Sequence, residues 1–499
     1  MTEHAHVLII GTGFSGLGAA YRLRQRGVTD VLLLERADDV GGTWRDNTYP
    51  GAACDVPSLL YSFSFAQNSD WSRSFSSQPE ILEYLRRFAR DNDIYPRCRF
   101  GHEMLESRWD PEELRWHVRT ARGEFTGDIL ILGAGPLSEP SIPEIPGLES
   151  FEGVMFHSAR WNHEHDLTGK NVAVIGTGSS AVQFVPKIQP KTAKLHVFQR
   201  TAHWTMPRWD RKVSRIERWL YGRLPAVQRL ARYAVYWGRE SFALGFTVQP
   251  KILGVARKVS LRNLRRQVED PVLREKLTPN YAFGCKRVVV TSDWYPTLTK
   301  PNVELVTDGI AEIRPSSIVT ADGTERPVDT LIFGTGFHAT DFPIGRRIFN
   351  GEGASLTGRW QDDPGAYRGT TIAGFPNLFM LIGPNTGLGH TSMVFIIESQ
   401  LAYVLDAVDH LRRTDVTAVE PLREPQIRFN KRIQRRMRRT VWSRGGCSSW
   451  YLDEQGRNIA LWPSFSFTLR MATRKFDPDS YRALVRPLAV RSELAAAAR

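Results

Sequence analysis

A glycine-rich turn that occurs twice constrains this sequence more than any other feature. The apolar run at residues 7–10 leads directly into Gly11-Thr-Gly13-Phe-Ser-Gly16, and the run at residues 171–175 leads into Gly176-Thr-Gly178-Ser-Ser-Ala181. In a strand–turn–helix unit, the first glycine makes the tight turn, the second lets the backbone approach a pyrophosphate, and the third lets helix and strand pack closely. Alanine is an allowed third residue. The sequence therefore predicts an α/β protein with two Rossmann-like, dinucleotide-binding domains.

The residue nineteen positions after each turn predicts which dinucleotide binds there. Glu35 holds this position after the first turn and Arg200 holds it after the second. An acid accepts a hydrogen bond from a free ribose 2′-hydroxyl, whereas an arginine accommodates a 2′-phosphate. We therefore predict FAD at the first turn and NADPH at the second. A solvated surface arginine is the ordinary alternative for Arg200, but the equal offsets favour a ligand.

The chain length and the cysteines narrow the class of protein. A chain of 499 residues predicts two or three domains, and 41% hydrophobic with 24% charged residues is typical of a globular protein with sizeable cores. Four cysteines without a C-x-x-C pair argue against a disulfide framework, a metal site and a dithiol reductase. We therefore predict no metal, a reducing compartment, and a Cys285 that is only packed in the core.

The N-terminus and the hydropathy pattern point to the cytoplasm. The first apolar run lacks a basic flank and is interrupted by glycines, as in a buried strand and unlike a signal peptide. No stretch approaches the roughly 18 apolar residues of a spanning helix. We expect a cytoplasmic protein whose alanine-rich end frays beyond Tyr481.

The net charge of +13 raises the question of a polyanionic partner. Residues 208–280 alternate bulky apolar residues such as Ile216, Trp219 and Leu230 with Arg and Lys at helical spacing, which predicts amphipathic helices. Their basic faces suit either solvent or an acidic membrane surface, and we favour solvent. The basic cluster at residues 430–439 contains Ile433 and Met437, four residues apart, as in a helix with one wet face. We predict no nucleic-acid partner.

The segment at residues 151–162 carries the most specific pattern. It reads F-x-G-x-x-x-H-x-x-x-W, formed by Phe151, Gly153, His157 and Trp161. A packed connector is the ordinary interpretation of such a segment. Its spacing and its position between two nucleotide signatures resemble instead the fingerprint of type I Baeyer–Villiger monooxygenases, flavoenzymes that insert one oxygen atom beside a ketone carbonyl. The related flavin-containing monooxygenases have Tyr or Phe in place of Trp161, and Asn162 departs from the Pro or Asp usual in the family.

The resemblance covers roughly residues 6–480 and implies roles for specific residues. In the family, a lysine touches the NADPH phosphate and the arginine after it lies over the flavin, which here are Lys286 and Arg287. A fixed guanidinium charge suits the place where negative charge develops on oxygen, and Asp55 matches its resting partner. His157 and Trp161 are expected to couple the domains rather than to carry protons. The implied FAD contacts are Gly11, Gly13, Phe14, Ser15, Gly16, Glu35, Gly42, Thr43, Trp44, Asp55, Tyr61, Met104 and Met393. The implied NADPH contacts are Gly176, Gly178, Ser179, Ser180, Arg200, Thr201, Lys286 and Arg287.

The resemblance also implies a reaction and a domain layout. NADPH reduces FAD, reduced FAD and dioxygen give a flavin peroxide, and attack on a ketone yields an ester or lactone; thioethers are a further expected substrate. The FAD domain is expected at residues 1–140 and 336–499, and the NADPH domain at 141–207 and 281–335. A linker and the fingerprint at 137–162 join them, and a helical insertion occupies 208–280.

Two other functions remain open from the sequence. One is oxygenation of nitrogen or sulfur in soft nucleophiles, as in the related flavin-containing monooxygenases, which share every cofactor motif. The other is binding to nucleic acid or a membrane surface, which the positive charge supports and the two intact nucleotide signatures argue against. Neither the size of the ketone nor the oligomeric state can be predicted from these residues.

Overall fold

Two β-sheets, each built around one of the glycine-rich turns, dominate the computed structural model of this protein. The structure describes residues 2–362, 365–453 and 455–486. The strands are β1 Glu3–Ile10, β2 Val31–Glu35, β3 Cys98–Phe100, β4 Met104–Asp110, β5 Arg115–Thr120, β6 Glu124–Leu132, β7 Val154–His157, β8 Asn171–Ile175, β9 Lys194–Phe198, β10 Thr205–Met206, β11 Val289–Val290, β12 Val303–Val306, β13 Ile310–Arg314, β14 Ser317–Thr320, β15 Glu325–Pro327, β16 Thr330–Phe333, β17 Ile348–Phe349, β18 Leu378–Met380, β19 Ala418–Pro421 and β20 Tyr481–Leu484. The α-helices are α1 Phe14–Gln25, α2 Thr43–Asp46, α3 Gln78–Asp91, α4 Ser179–Ile188, α5 Arg215–Arg223, α6 Pro225–Glu240, α7 Leu253–Gln267, α8 Pro271–Lys276, α9 Trp294–Leu298, α10 Leu356–Asp362, α11 Met393–Arg413, α12 Arg423–Met437, α13 Val441–Arg444 and α14 Ser466–Ala472.

The first sheet has the order β17-β4-β5-β6-β1-β2-β3, with β18 also paired to β6. Its central strands β6, β1, β2 and β3 are parallel, whereas β4 and β5 pair in antiparallel fashion. Every residue of β2 is buried, as expected of a strand covered on both faces. Helices α1, α3 and α11 contribute to the core on one face of the sheet.

The second sheet has the order β12-β9-β8-β16-β7, and all its pairs are parallel. Its strand order β12-β9-β8-β16 repeats the order β3-β2-β1-β6 of the first sheet. In such sheets, ligands bind beyond the carboxyl ends of the strands, where the order reverses. These places lie between β1 and β6 and between β8 and β16, where the two glycine-rich turns stand. The predicted fold class is therefore confirmed, and the exact domain boundaries stay a prediction.

The helical insertion differs from the expected amphipathic pattern. Helices α5 to α8 form as predicted. However, several apolar residues whose spacing suggested a buried face point outward, among them Ile216 at 76% exposure and Leu230 at 70%. The pattern predicted the helices correctly, but it predicted the wrong face of α6 to be buried. The buried face of this helix carries polar residues, which form hydrogen bonds with other parts of the chain. By contrast, Ile433 and Met437 on α12 are buried as predicted.

The prediction of an unpaired Cys285 is wrong. Cys285 and Cys447 form a disulfide across 162 residues of sequence, with a Cα–Cα distance of 6.1 Å. That distance lies within the usual range for disulfides, and only the folded chain brings the two residues together. The bond also removes the cysteine argument for a reducing compartment. Cys54 and Cys98 are free and buried.

The end of the chain is more ordered than expected as far as it is described. Tyr481–Leu484 forms β20, which pairs in antiparallel fashion with β19. The rest of the segment predicted to fray lies outside the described residues. Within the described part of the chain, no helix combines the length and the apolar character that crossing a bilayer requires.

Candidate active site

One cavity of about 1680 Å³ runs between the two glycine-rich turns. It is lined by Gly11–Ser15 on the first sheet and by Gly176–Ser180 on the second, together with the connecting segments 133–145 and 334–347. A pocket for one drug-sized ligand measures roughly 300–1,000 Å³. The cavity is therefore large enough for two extended nucleotides and a substrate.

The glycines of the first turn have different structural roles. A Cβ placed on Gly16 would lie 1.9 Å from the carbonyl oxygen of Gly11, so the packing of α1 against β1 requires glycine there. A Cβ on Gly13 would meet no atom closer than the Cα of Gly42, at 3.7 Å. Gly13 therefore leaves open space beside the cavity, while Gly16 lies behind it. This geometry fits a pyrophosphate held against the start of α1.

Glu35 ends β2 with its side chain buried at the cavity wall. Its Oε2 accepts hydrogen bonds from the backbone nitrogen of Thr12 at 3.0 Å and from the Thr12 hydroxyl at 2.7 Å. Its Oε1 accepts from the backbone nitrogen of Ala37 and lies 3.1 Å from Arg45. These contacts fix the carboxylate at the cavity edge. A ribose hydroxyl would share this carboxylate with the protein donors.

Cations gather beside the second turn. Arg200 and Lys286 line the cavity, and neither forms an ion pair with a carboxylate among the described residues. Burial and the charge of Arg200 lower the pKa of Lys286. Burial, together with the charge of Lys286, lowers the pKa of His203 to about 4. Two cations that repel each other without a carboxylate between them form a site suited to a phosphate group.

Asp55 and Arg287 form a bidentate ion pair between the two nucleotide sites. Arg287 Nη2 lies 2.6 Å from both carboxylate oxygens, and Nε donates to Oδ2 at 3.0 Å. Burial raises the pKa of Asp55, but the charge and hydrogen bonds of Arg287, with the charge of Arg239, outweigh it and leave the pKa lowered. The charge of Asp55 raises the pKa of Arg287. Both side chains line the cavity, so a fixed positive charge faces the reactants.

Arg239 is a residue of this site that the sequence did not reveal. It lies on α6, and its Nη2 donates to the backbone carbonyl of Asp55 at 3.2 Å. Its Nε is buried without a hydrogen-bond partner. Burial, together with the charge of Arg287, lowers the pKa of Arg239, while the charge of Asp55 opposes that shift. Asp55 therefore interacts with two guanidinium groups, Arg287 through its carboxylate and Arg239 through its backbone carbonyl.

Aromatic and sulfur-containing side chains line the part of the cavity near the first sheet. Trp44 Nε1 donates to the hydroxyl of Tyr61 at 3.2 Å, and the two rings meet edge to face. Met104 is buried at the start of β4, and Met393 is the first residue of α11. The hydroxyl of Ser392 caps that helix by accepting from the backbone nitrogen of Val394. Thr391, Met393 and Val394 line the cavity, so the N-terminus of α11 faces it.

The fingerprint residues lie outside the cavity, along the edge strand β7 of the second sheet. A Cβ on Gly153 would lie 2.5 Å from the Phe151 ring, so these two residues form a packing unit. Trp161 packs against Phe156 and Phe184. His157 is buried, and burial, with partial opposition from the backbone of Gly336, lowers its pKa to about 4.

His157 lies beside the segment after β16 through which the chain leaves the second sheet for the first. It pairs with Phe333 in the parallel register of β7 and β16, and its ring meets the ring of Phe337 edge to face. Phe337 lines the cavity. A neutral His157 thus contacts the crossing between the domains, which agrees with a coupling role and offers no route for a proton to a substrate.

Gln183 is a second residue that the sequence did not single out. It lies on α4, accepts from the Tyr49 hydroxyl at 3.0 Å and donates to the carbonyl of Ala53 at 3.0 Å. It therefore bonds the second nucleotide fold to the loop that carries Asp55. The sequence could not predict this role, because a glutamine on a helix has no preferred hydrogen-bond partner.

The structure brings together nearly all the residues that the sequence nominated. Gly16 and the four fingerprint residues lie behind the cavity wall. The nominated residues that line the cavity are Gly11, Gly13, Phe14, Ser15, Glu35, Gly42, Thr43, Trp44, Asp55, Tyr61, Met104, Met393, Gly176, Gly178, Ser179, Ser180, Arg200, Thr201, Lys286 and Arg287.

Known proteins resemble this chain over nearly its whole length. The family model described as pyridine nucleotide-disulphide oxidoreductase matches residues 8–240. A Baeyer–Villiger monooxygenase of Streptomyces coelicolor is 50% identical over 487 residues, which cover 97% of this chain and 93% of that protein. A Baeyer–Villiger monooxygenase of Pseudomonas aeruginosa is 47% identical over 493 residues, covering 98% of this chain and 93% of that protein.

Solved structures give the same result. An oxidised steroid monooxygenase bound to NADP superposes with a TM-score of 0.86 at 32% identity, and a closed cyclohexanone monooxygenase with 0.85 at 27%. Each comparison covers 97% of this chain and 100% of the other. The structure has two nucleotide turns around one cavity, with residues suited to hold both cofactors. Together with these relatives, it shows that the chain belongs to the Baeyer–Villiger monooxygenases and is an FAD-dependent monooxygenase that uses NADPH.

Proposed function

We propose that this chain converts ketones to esters or lactones at the Asp55–Arg287 pair. The overall reaction consumes the ketone, dioxygen, NADPH and one proton, and yields the ester or lactone, NADP⁺ and water. FAD, when bound, accepts the electrons of NADPH and uses them to activate dioxygen. The observation that carries the proposal is the bidentate pair placed between two nucleotide turns in one cavity.

The chain holds the two cofactors by different chemistry. At the first turn, Gly13 leaves room for a pyrophosphate at the start of α1, and Glu35 accepts from a ribose hydroxyl. At the second turn, Arg200 and Lys286 bind the 2′-phosphate, which supplies the negative charge that these two cations lack. This difference supports FAD at the first sheet and NADPH at the second.

Arg287 stabilises the negative charge that develops on oxygen during the transfer. A guanidinium keeps its proton and can donate several hydrogen bonds in a fixed plane. Donors placed in advance toward developing charge contribute about 3–4 kcal/mol each in enzymes that stabilise oxyanions. Asp55 holds the guanidinium in position, and Arg239 holds Asp55 in turn. Among the described residues lining the cavity, this pair is the most direct candidate for contact with the reacting atoms.

Apolar side chains in the wall of the same cavity limit the access of water. Ile382, Leu388 and Leu461 line the cavity, and the half-exposed ring of Trp450 borders it from the C-terminal segment. Excluding water strengthens the electrostatic effect of Arg287 and protects the activated oxygen from wasteful release. The same surroundings accept a thioether as readily as a ketone, so we propose sulfoxidation as a side activity.

The test compares product formation with cofactor reduction. The purified holoprotein is reduced with NADPH in the absence of oxygen and is then mixed with ¹⁸O₂ and either a ketone or a thioether. We expect one ¹⁸O atom in the ester or lactone. Arg287→Ala should lower the rate of ester formation by about 100-fold or more, in the range seen for removal of one oxyanion donor.

Arg208→Ala is the matched control. Arg208 also contacts the loop of Asp55, through the carbonyl of Cys54, but it does not line the cavity. We expect this variant to form ester at nearly the normal rate. Oxygenation of thioethers or amines without any ester would contradict the proposal and favour nitrogen or sulfur oxygenation. A chain purified without flavin, or normal ester formation by Arg287→Ala, would contradict the assigned site.

A further inference from the structure

Helix α6 has its polar side buried and its apolar side exposed. Gln228, Arg232, Tyr236 and Glu240 recur every four residues, and all four are buried. On the opposite side, Leu230 is 70%, Tyr233 61% and Trp237 57% exposed. A helix at the surface of a soluble protein ordinarily shows the reverse arrangement. The exposed apolar stripe of α6 therefore requires an explanation.

Hydrogen bonds fix this orientation. Gln228 donates to the carbonyl of Asn68 at 2.6 Å, and the hydroxyl of Tyr236 bonds to that of Ser466 at 3.0 Å. Glu240 accepts from Ser466 and pairs with the buried His390 at 3.1 Å. Rotating α6 to hide its apolar stripe would leave these buried polar groups without hydrogen-bond partners, which is unfavourable for each group. The stripe is thus held outward by the fold.

The neighbouring elements of the insertion expose similar residues. Helix α5, which packs against α6, exposes Ile216 at 76% and Trp219 at 61%. The segment before α5 exposes Trp209, and α7 exposes Val255. We call these residues of the insertion the outer apolar set: Trp209, Ile216, Trp219, Leu230, Tyr233, Trp237 and Val255. Exposed Trp and Tyr among Leu, Ile and Val are typical of surfaces that enter the interface between water and lipid.

The charge of the insertion identifies the partner. Residues 208–280 contain 17 Lys and Arg but only six Asp and Glu, so they carry a net charge of +11 out of the +13 of the whole chain. Glu217 pairs with Arg211, and the buried Glu240 is matched by the buried Arg232, so the exposed part of the insertion keeps this positive charge. The second half of α7 exposes Arg262, Arg265 and Arg266.

An anionic lipid bilayer meets both features. A second copy of this chain would bring another +11 face to the contact and repel it. Nucleic acid would satisfy the charge but not the apolar set. We propose that the outer side of the insertion, residues 208–280, binds the surface of an anionic lipid bilayer, with the outer apolar set entering the headgroup region and the arginines contacting lipid phosphates. Since no described helix is suited to cross a bilayer, the protein rests on the membrane surface.

Helix α12 shows what a solvated basic helix of this protein looks like. It also exposes arginines, among them Arg435 and Arg436, but its large apolar residues Phe429, Ile433 and Met437 are buried. Its basic face has no apolar neighbours to insert into lipid. Substituting two arginines of α12 therefore removes the same number of positive charges as substituting two in α7, but from a surface that lacks exposed apolar residues.

The experiment measures co-flotation of the FAD-loaded full-length protein with vesicles. We expect strong binding to vesicles of phosphatidylcholine mixed with phosphatidylglycerol, and little binding to phosphatidylcholine alone. Each basic residue near an anionic surface contributes about 1 kcal/mol, so Arg265→Glu with Arg266→Glu should weaken binding about thirtyfold or more. Trp219→Ser with Trp237→Ser should weaken it about tenfold or more. The paired control, Arg435→Glu with Arg436→Glu, should bind nearly as the parent does.

Three outcomes would overturn the proposal. Equal loss of binding in the α12 control would show that only the net charge matters. Absence of flotation with anionic vesicles would show that the face meets no lipid. Dimers in lipid-free buffer that Trp237→Ser separates would identify the stripe as a contact between protein copies. All variants are first checked for bound FAD and NADPH oxidation, which we expect to be unchanged because the substituted residues do not line the cavity.

Discussion

At the scale of single residues, we propose that Arg200 distinguishes NADPH from NADH. It lies at the cavity edge beside Lys286, with no carboxylate partner among the described residues to neutralise either charge. The 2′-phosphate of NADPH supplies that negative charge, and NADH does not. The contact between a guanidinium and a phosphate is a charge-assisted hydrogen bond of about 1.5–3 kcal/mol.

Arg200→Ala should therefore raise the KM for NADPH by about 10- to 100-fold and leave the KM for NADH nearly unchanged. Steady-state oxidation of the two coenzymes measures both values. Arg346→Ala is the control, because Arg346 also lines the cavity but belongs to the segment after β16. Equal losses with NADPH and NADH would show that Arg200 stabilises the domain rather than the phosphate.

Arg239 acts on the reaction through Asp55. Its charge helps to keep the pKa of Asp55 low, so that the Asp55–Arg287 pair persists into acid solution. Without Arg239 the pKa of Asp55 rises. Asp55 then becomes protonated, and the ion pair breaks, at a higher pH than in the parent. The acid limb of the kcat/KM profile should therefore move to higher pH.

The pH dependence of ketone oxidation by Arg239→Met measures this shift, and Arg239→Lys should restore much of the original profile. Arg232→Met on the same helix is the control, since Arg232 contacts Leu59 and Ser62 rather than Asp55. An unchanged profile in Arg239→Met, or the same shift in Arg232→Met, would contradict the assignment.

At the scale of elements, the strand–turn–helix unit β1–α1 separates folding from binding. The Cβ of Gly16→Ala would lie 1.9 Å from the carbonyl oxygen of Gly11, which is closer than two non-bonded heavy atoms can approach. The Cβ of Gly13→Ala would instead face the cavity. The first substitution forces α1 away from β1. The second narrows the space for a pyrophosphate.

We expect Gly16→Ala to lower the free energy of unfolding by about 1–3 kcal/mol or more, with poor recovery of folded protein. Gly13→Ala should melt, without FAD, at nearly the parent temperature but bind FAD at least about tenfold more weakly. Thermal melts with and without FAD, and FAD titration, test the pair. Equal melting of both variants would contradict the separate roles.

At the scale of the whole molecule, the disulfide joins two segments of the active site. Cys285 precedes Lys286 and Arg287, and Cys447 precedes the cavity-lining Ser448, Ser449 and Trp450. Closing a loop of 162 residues restricts the unfolded chain strongly. The bond also keeps the C-terminal segment beside Arg287.

Cys447→Ser should therefore cost about 2–5 kcal/mol of stability. We expect its melting temperature to be lower than that of the parent and insensitive to dithiothreitol, whereas the reductant should lower the melting temperature of the parent. Mass spectrometry of peptides under non-reducing conditions shows whether the bond forms. Cys98→Ser is the control for loss of a buried thiol, and its melting should stay sensitive to the reductant.

A site residue can be predicted from the sequence when it lies at a fixed distance along the chain from a recognisable motif. Gly13, Glu35 and Arg200 were predicted because a nucleotide turn fixes their offsets along the chain. Asp55 and Arg287, 232 residues apart, were predicted only through resemblance to a family. Arg239 had no local signal at all, because a buried arginine on a helix looks like a solvated one in the sequence.

The sequence by itself determined the two nucleotide folds, the choice of FAD and NADPH, and the presence of helices in the insertion, because each depends on residues a few positions apart. The tertiary structure alone decided which side of α6 is buried, that Cys285 meets Cys447, and that Arg239 as well as Arg287 contacts Asp55. Hydrophobic spacing gives the period of a helix but does not say which face is hidden. That choice is made by partners such as Asn68 and Ser466, which come from distant parts of the chain and meet α6 only after folding.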